Sequence, residues 1–419
     1  MLRPARPLSR RAFLVAGAAA ATPGGRALAR ARWTRVVDPA DLDLLDAAAL
    51  LRARRLSSVE LTRACLQRIR TRNGGAPTFD GSPSSINAWA RLYPELALRQ
   101  ARAADRRLAR GRQPPLCGIP LGLKDLFAVE GLPLTASSHV LDGNVATENS
   151  SVWTRLRRAG MVLIGHTHTH EFGAGATTDQ VGNPWLLTQS AGGSSGGSAA
   201  ALAARMVPAA IGTDTGGSLR FPAALCGVST IKPTRGRVST GGMIPVATSF
   251  DHAGPLARTV ADCAVLLQTL GSGRLRLPTK PRPGSRPLAG LRIAITDRLP
   301  QVHADVADGL DRARFALAKL GAQIVGRAAP PAAGPGEAGY AAIFATDLWA
   351  YHRRFAARAG LYRPAIAQLV REAAADYGVG YAPARRDRDR VTAAWTRWFA
   401  DGWPRPGAPT SSPTTPGIG

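Results

Sequence analysis

The feature that most constrains the fold is a change of texture at Leu116. From there, short apolar runs (Ile119 to Leu123, Met161 to Ile164, Val207 to Ile211) alternate with Gly-rich loops and Ala-rich stretches. Runs this short have the length of buried strands, and strands alternating with helices predict α/β layering around a sheet. Upstream, Asp41 to Arg70 reads as two helices. The second opens with Ser57-Ser58-Val59-Glu60, a capping box, and continues with Leu61, Cys65 and Ile69 at helical spacing. A Gly/Pro/Ser-rich loop over Asn73 to Ser85 precedes a further helix predicted over Glu95 to Arg110. Past a Pro/Gly/Arg linker, Gly271 to Pro287, the chain predicts a βαβ unit. Its strands are Leu291 to Ile295 and Gln323 to Val325, and its helix carries Val306, Leu310, Ala313, Leu317 and Leu320 on one face. Tyr351 to Phe399 reads as mostly helical, and no repeat of solenoid period is present. The 419 residues allow two or three domains, although large α/β enzymes often use one.

The formal net charge of +26 comes almost wholly from Arg, since the chain has four Lys: Lys124, Lys232, Lys280 and Lys319. The basic residues are dispersed, without aromatic interleaving or a nucleic-acid module, so they fit a compositional bias and no nucleic-acid partner is expected. Cys65, Cys117, Cys226 and Cys263 form no metal-type spacing and read as buried free thiols. At the start, Ser9-Arg10-Arg11-Ala12-Phe13-Leu14, an apolar run to Ala21 and Ala27-Leu28-Ala29 have the form of a twin-arginine export signal over residues 1–29. That signal implies passage through the Tat translocon and a periplasmic or secreted location. The apolar run is too short to span a bilayer.

Three segments carry chemistry. In Gly118-Ile119-Pro120-Leu121-Gly122-Leu123-Lys124-Asp125 a Lys stands within apolar sequence in an Arg-biased chain. Lys differs from Arg in that burial can strip its proton and make it a base; the plainer reading is a Lys paired with Asp125. In Gly192-Gly193-Ser194-Ser195-Gly196-Gly197-Ser198, glycines flank a Ser pair without the endings of a phosphate or dinucleotide loop. In Gly212-Thr213-Asp214-Thr215-Gly216-Gly217-Ser218-Leu219-Arg220-Phe221-Pro222, a Ser follows two glycines whose N–H groups could form an oxyanion hole. Serine needs a base, and no His-Asp pair is evident nearby, which points back to Lys124. His166, His168 and His170 alternate, and on a strand they would share one face, so metal binding is conceivable there.

These segments, in this order and spacing, resemble the amidase signature family from about Asp41 to about Leu267. Asn183-Pro184-Trp185, Lys232 to Val238 and Asp251 to Val260 support the match. The resemblance implies a single α/β domain over residues 30–419, a mixed sheet covered by helices on both faces. It implies Ser218 as nucleophile, with Ser194, typically after a cis peptide, relaying protons to the neutral amine of Lys124. It further implies an oxyanion hole from the N–H groups of Thr215, Gly216, Gly217 and Ser218, a bracing role for Asp214 and Arg220, and no metal or cofactor. The expected reaction is hydrolysis of a small-molecule amide or ester through an acyl-enzyme. One alternative is a tRNA-dependent amidotransferase component of the A type, against which the export signal argues, because charged tRNA is cytoplasmic. Another is an inactive binding protein of the same fold. Pro413-Thr414-Thr415-Pro416 resembles the start of a further family segment that includes a core strand. That segment is expected to be missing, with poor solubility or a homodimer formed through an open sheet edge as the expected result.

Overall fold

The computed structural model describes residues 38–82, 84–271, 284–295, 302–326 and 337–401. The expected export signal, most of the Gly271 to Pro287 linker and the Pro-Thr-Thr-Pro stretch lie outside those residues. Two helices come first, α1 (Leu44–Arg52) and α2 (Ser58–Arg72). The capping box forms as predicted: Ser57 Oγ accepts from the Glu60 N–H at 3.1 Å, and Glu60 Oε2 accepts from the Ser57 N–H at 2.8 Å. This satisfies two donors that a helix start otherwise leaves open. Leu61, Cys65 and Ile69 face the core from α2.

There follow β1 (Trp89–Leu92), α3 (Pro94–Ala109), β2 (Pro120–Lys124), α4 (Ser151–Arg158) and β3 (Val162–Thr167). A small hairpin of β4 (Gly182–Asn183) and β5 (Leu186–Ser190) leads to α5 (Gly196–Ala203), β6 (Ala209–Asp214), α6 (Arg220–Cys226), β7 (Ser229–Thr230), β8 (His252–Ala257) and α7 (Val260–Leu270). Six strands form one sheet in the order β1-β3-β2-β6-β8-β7. β2 runs parallel to β3 and β6, while β1, β8 and β7 pair antiparallel, so the sheet is mixed. Every residue of β2, β3 and β6 is buried. Successive strand side chains point to opposite faces, so burial of all of them means that helices cover both faces.

Near the end of the chain, β9 (Arg292–Ile295) and β10 (Gln323–Gly326) pair in parallel around α8 (Ala304–Lys319), the predicted βαβ unit. Its packing differs from the expectation. No residue of α8 is buried, and Val306, Leu310 and Leu320 of the predicted apolar face are exposed. Among the described residues, β9 and β10 pair only with each other, and a two-stranded sheet is too narrow to bury a helix of 16 residues. The remaining helices are α9 (Glu337–His352), α10 (Pro364–Ala375) and α11 (Tyr381–Asp401); α10 and α11 fall in the span from Tyr351 read as mostly helical, whereas α9 lies almost wholly before it. α9 and α10 join a second apolar cluster in which Leu126, Phe172 and Ile244 meet Tyr362, Ile366 and Val370, with Trp349 and Tyr351 packed against it. No helix among the described residues is long and apolar enough to cross a membrane.

The β1–β3 contact gives a direct test of packing. A Cβ placed on Gly165 would stand 2.1 Å from the Arg91 carbonyl oxygen and 3.0 Å from Leu92 Cα, both backbone atoms that cannot swing aside. Gly165→Ala should therefore destabilise the fold by about 1–3 kcal/mol, the usual cost of overpacking. Thermal melting checks this; an unchanged Tm would show that β1 slides freely on β3.

Candidate active site

Lys124 is the last residue of β2 and Asp214 the last of β6. The register Leu121↔Ala209, Gly122↔Ala210, Leu123↔Ile211 carries these parallel strands side by side and brings Lys124 to the level of Gly212, from where its amine reaches Thr213 Oγ1. Ligands in α/β sheets commonly bind beyond the carboxyl ends of parallel strands, where loops diverge. Here those loops supply the serines: Ser194 and Ser195 immediately precede α5, and Ser218 closes the turn into α6. The Gly193–Ser194 peptide is cis. Gly212, within β6, permits the close approach of the Ser194–Ser195 loop to that strand, since a Cβ there would lie 2.6 Å from Ser195 Oγ.

Lys124 is fully buried. Its Nζ donates to Ser194 Oγ at 2.7 Å, Thr213 Oγ1 at 2.7 Å and Ser195 Oγ at 3.0 Å. No carboxylate pairs with it among the described residues. Asp125, the partner in the plainer reading, turns to the 135–137 loop, accepting from Thr135 Oγ1 at 2.7 Å and the Ser137 N–H at 3.1 Å. Burial drives the Lys124 pKa well below its ordinary 10.5, against the more distant pull of Asp251 and Asp214. The amine is thus available as a base. Ser195 and Thr213 are partners to which the sequence alone assigns no role. Both lie in the quoted motifs, but strand-end geometry alone tells which hydroxyls converge.

Ser218 is 7 % exposed and lines a cavity of about 180 Å3. Gly173 lines the same cavity, and a Cβ on Gly173 would stand 3.6 Å from Ser194 Oγ, so Ser194 lies just behind the cavity that Ser218 opens onto. The N–H groups of Gly216, Gly217 and Ser218 donate to no group among the described residues. The turn that presents them is braced. Arg220 grips Asp214 in a bidentate pair, Nη2 to Oδ1 at 2.9 Å and Nε to Oδ2 at 3.0 Å, while the Leu219 N–H donates to Asp214 Oδ2 at 3.1 Å. Burial alone would raise the Asp214 pKa, but Arg220 and the Leu219 N–H bring it below the usual range. On the other flank, Asp251 accepts from Thr215 Oγ1 at 2.6 Å and from the Val246 N–H at 3.0 Å. Burial nevertheless holds its pKa above normal.

The three histidines do not share a strand face. β3 ends at Thr167, and beyond it the chain leaves strand geometry. His166 Nδ1 meets Tyr93 Oη at 2.9 Å and its Nε2 meets the Phe127 carbonyl at 3.2 Å. His168 lies between Ser137 Oγ at 3.0 Å and the Thr78 carbonyl at 2.9 Å, and burial drives its pKa down to about 4. Both ring nitrogens of each are engaged in loop-tying hydrogen bonds. His170 turns Nδ1 to the Glu171 carbonyl. No group of three potential metal ligands occurs among the described residues. All four cysteines are buried and free, as their spacing suggests.

The lowered Lys124 pKa has a measurable cost. Between that value and 10.5, the unfolded chain binds a proton at Lys124 that the folded chain does not, so this group makes stability rise with pH across that window. Raising pH toward 10.5 should therefore improve the Tm of the wild type relative to Lys124→Met. Parallel melting curves over the whole range would show that Lys124 is charged in the fold.

The sequence profile of the family described as Amidase matches residues 60–390. The glutamyl-tRNA(Gln) amidotransferase A component of Methylococcus capsulatus is 45% identical over 265 residues, which are 60% of this chain and 53% of that protein. This chain thus matches about half the length of such curated relatives. Among solved structures, the peptide amidase of Stenotrophomonas maltophilia superposes with a TM-score of 0.71 at 31% identity, over 85% of this chain and 82% of that one. 6-Aminohexanoate cyclic dimer hydrolase superposes with a TM-score of 0.74 at 29% identity, over 88% and 78%. With the profile matching residues 60–390, most of the chain, this protein belongs to the amidase family.

Proposed function

We propose that the chain hydrolyses carboxylic amides through an acyl-enzyme on Ser218. One observation carries the reading: a fully buried lysine amine, with no carboxylate partner among the described residues, lies 2.7 Å from the hydroxyl of Ser194 beside the cavity that holds Ser218. Ser218 Oγ attacks the amide carbon while its proton passes through Ser194 to Lys124. The N–H groups of Thr215, Gly216, Gly217 and Ser218 hold the oxygen as it gains negative charge. The carbonyl re-forms as the C–N bond breaks, and the proton returns through Ser194 to the departing nitrogen. Water then attacks the Ser218 ester over the same relay, releasing the acid and restoring the serine. Esters would follow the same course. Ser195 and Thr213 keep the amine aimed at Ser194 throughout.

A second reading draws on the relatives named as amidotransferase components. In it, the same site would release ammonia from an amide for a partner protein. Turnover of simple amides by the purified chain alone favours the hydrolase. Ammonia release from glutamine only with a partner present would favour the amidotransferase.

Ser218→Ala should lower kcat/KM by about 10^4-fold or more, and Ser194→Ala and Lys124→Ala severely. Because the relay acts as a unit, Lys124→Ala in a Ser194→Ala background should cost little further. In the wild type, kcat/KM should rise with pH through the lowered Lys124 pKa, because the base form is the neutral amine. Amide hydrolysis at near wild-type rate by Lys124→Ala would remove the lysine from the mechanism.

We also propose export by the twin-arginine route, on Ser9 to Leu14 and Ala27 to Ala29. Replacing Arg10 and Arg11 by Lys should hold the protein in the cytoplasm with its leader uncut. Undiminished periplasmic recovery of that variant would sink the idea.

A further inference from the structure

The cavity over Ser218 has a wall that belongs to neither catalytic loop. Helix α9 contributes Tyr340 and Phe344, and Phe221 and Val246 complete an apolar surround. No charged side chain lines this space among the described residues. A charged group entering it would lose its hydration without gaining a partner. The volume of about 180 Å3 is close to the roughly 150 Å3 that accommodates a benzene ring in an apolar protein cavity.

The wall is itself a stack of flat groups. The Tyr340 ring lies on Phe250 with centroids 4.9 Å apart and planes 29° apart. Phe344 stacks with the same Tyr340 ring at 5.8 Å and 25°. The helix bearing this stack is fixed in place: Asp347 Oδ2 accepts from the Ser249 N–H at 2.7 Å, and Leu348 is fully buried beside Val246. The Tyr340 hydroxyl reaches over the turn before Ser218, 3.0 Å from where a Cβ on Gly216 would stand. It has no hydrogen-bond partner among the described residues, and burial, with the nearby charges of Asp251 and Asp214, keeps it protonated. A flat wall and a phenol donor with no partner among the described residues thus face the cavity onto which Ser218 opens.

We propose that Tyr340 and Phe344 determine specificity, selecting amides whose acyl group carries a single uncharged aromatic ring, which stacks on this wall while the Tyr340 hydroxyl hydrogen-bonds the bound substrate. The proposal rests on the hydrolase reading above. It assigns the selection of the acyl group to the C-terminal helices, and the chemistry to the strand-end loops.

The test compares benzamide with propionamide on the wild type and on Phe344→Ala, Phe344→Leu and Tyr340→Phe, each checked for an unchanged melting profile. Phe344→Leu keeps most of the volume but cannot stack, so it guards against a misfolded alanine variant. The wild type should prefer benzamide. The benzamide-to-propionamide ratio of kcat/KM should fall about tenfold in Phe344→Ala and, by a smaller factor, in Phe344→Leu. Tyr340→Phe should lower both rates about two- to tenfold and leave the ratio in place. In parallel, phenylboronic acid, which adds to a reactive serine as an acyl mimic, should bind the wild type more tightly than Phe344→Ala, while methylboronic acid should not distinguish them. If both amides are hydrolysed but the ratio is the same in every variant, the specificity proposal is overturned and the hydrolase reading stands. If neither amide is hydrolysed and a fluorophosphonate leaves Ser218 unlabelled, the hydrolase reading falls and the proposal with it.

Discussion

The site depends on one arrangement: a lysine amine removed from water and given three hydroxyls, with no carboxylate among the described residues, as close partners. An ammonium in that position loses its hydration and gains no opposite charge at contact distance, so the neutral form is favoured. An acid at Asp125 pointed toward Nζ would cancel the effect. The 135–137 loop prevents this by supplying hydroxyl and N–H donors that turn the Asp125 carboxylate away. The second apolar cluster, built from Leu126, Phe172 and the C-terminal helices, shields the same region from solvent.

That arrangement requires precise loop placement, and the sheet supplies it. Parallel pairing of β2 with β6 sets Lys124 beside Thr213, and the carboxyl ends of the two strands open on the same side. Both serine loops return at that side because α5 and α6 start there. The turn before Ser218 is clamped from two directions, by Arg220 on Asp214 and by Asp251 on Thr215. Ion pairs near surfaces contribute little to global stability, but a bidentate guanidinium–carboxylate pair fixes geometry well. The clamp therefore serves orientation: it fixes a turn whose Gly216, Gly217 and Ser218 N–H groups donate to no group among the described residues.

The C-terminal half is built differently. α9 and α10 pack onto the body through Leu348, Ile366 and Val370, all buried, and α9 brings Tyr340 and Phe344 to the cavity. The β9-α8-β10 unit keeps correct local structure but leaves its helix exposed. Local pattern is enough to form such a unit; burial of its apolar face needs a wider surface than two strands offer.

The sequence by itself determined the elements whose causes are local. The capping box at Ser57 and Glu60, the strand-length apolar runs and the Gly-framed serines each state their role within a few residues. The three segments around Lys124, Ser194 and Ser218 were legible as one site because their order and spacing resemble a family pattern. Only the tertiary structure decided what depends on residues far apart in the chain. The sequence leaves open whether Lys124 faces Asp125 or three hydroxyls, because that depends on where the 135–137 loop packs. The histidines at 166, 168 and 170 alternate as if on one face, but β3 ends at Thr167 and each ring turns to a different neighbour. Tyr340 lies 122 positions beyond Ser218 with no motif around it. Its place over the nucleophile follows from the packing of α9 against the body and the Asp347 tie to Ser249, contacts that no local pattern encodes.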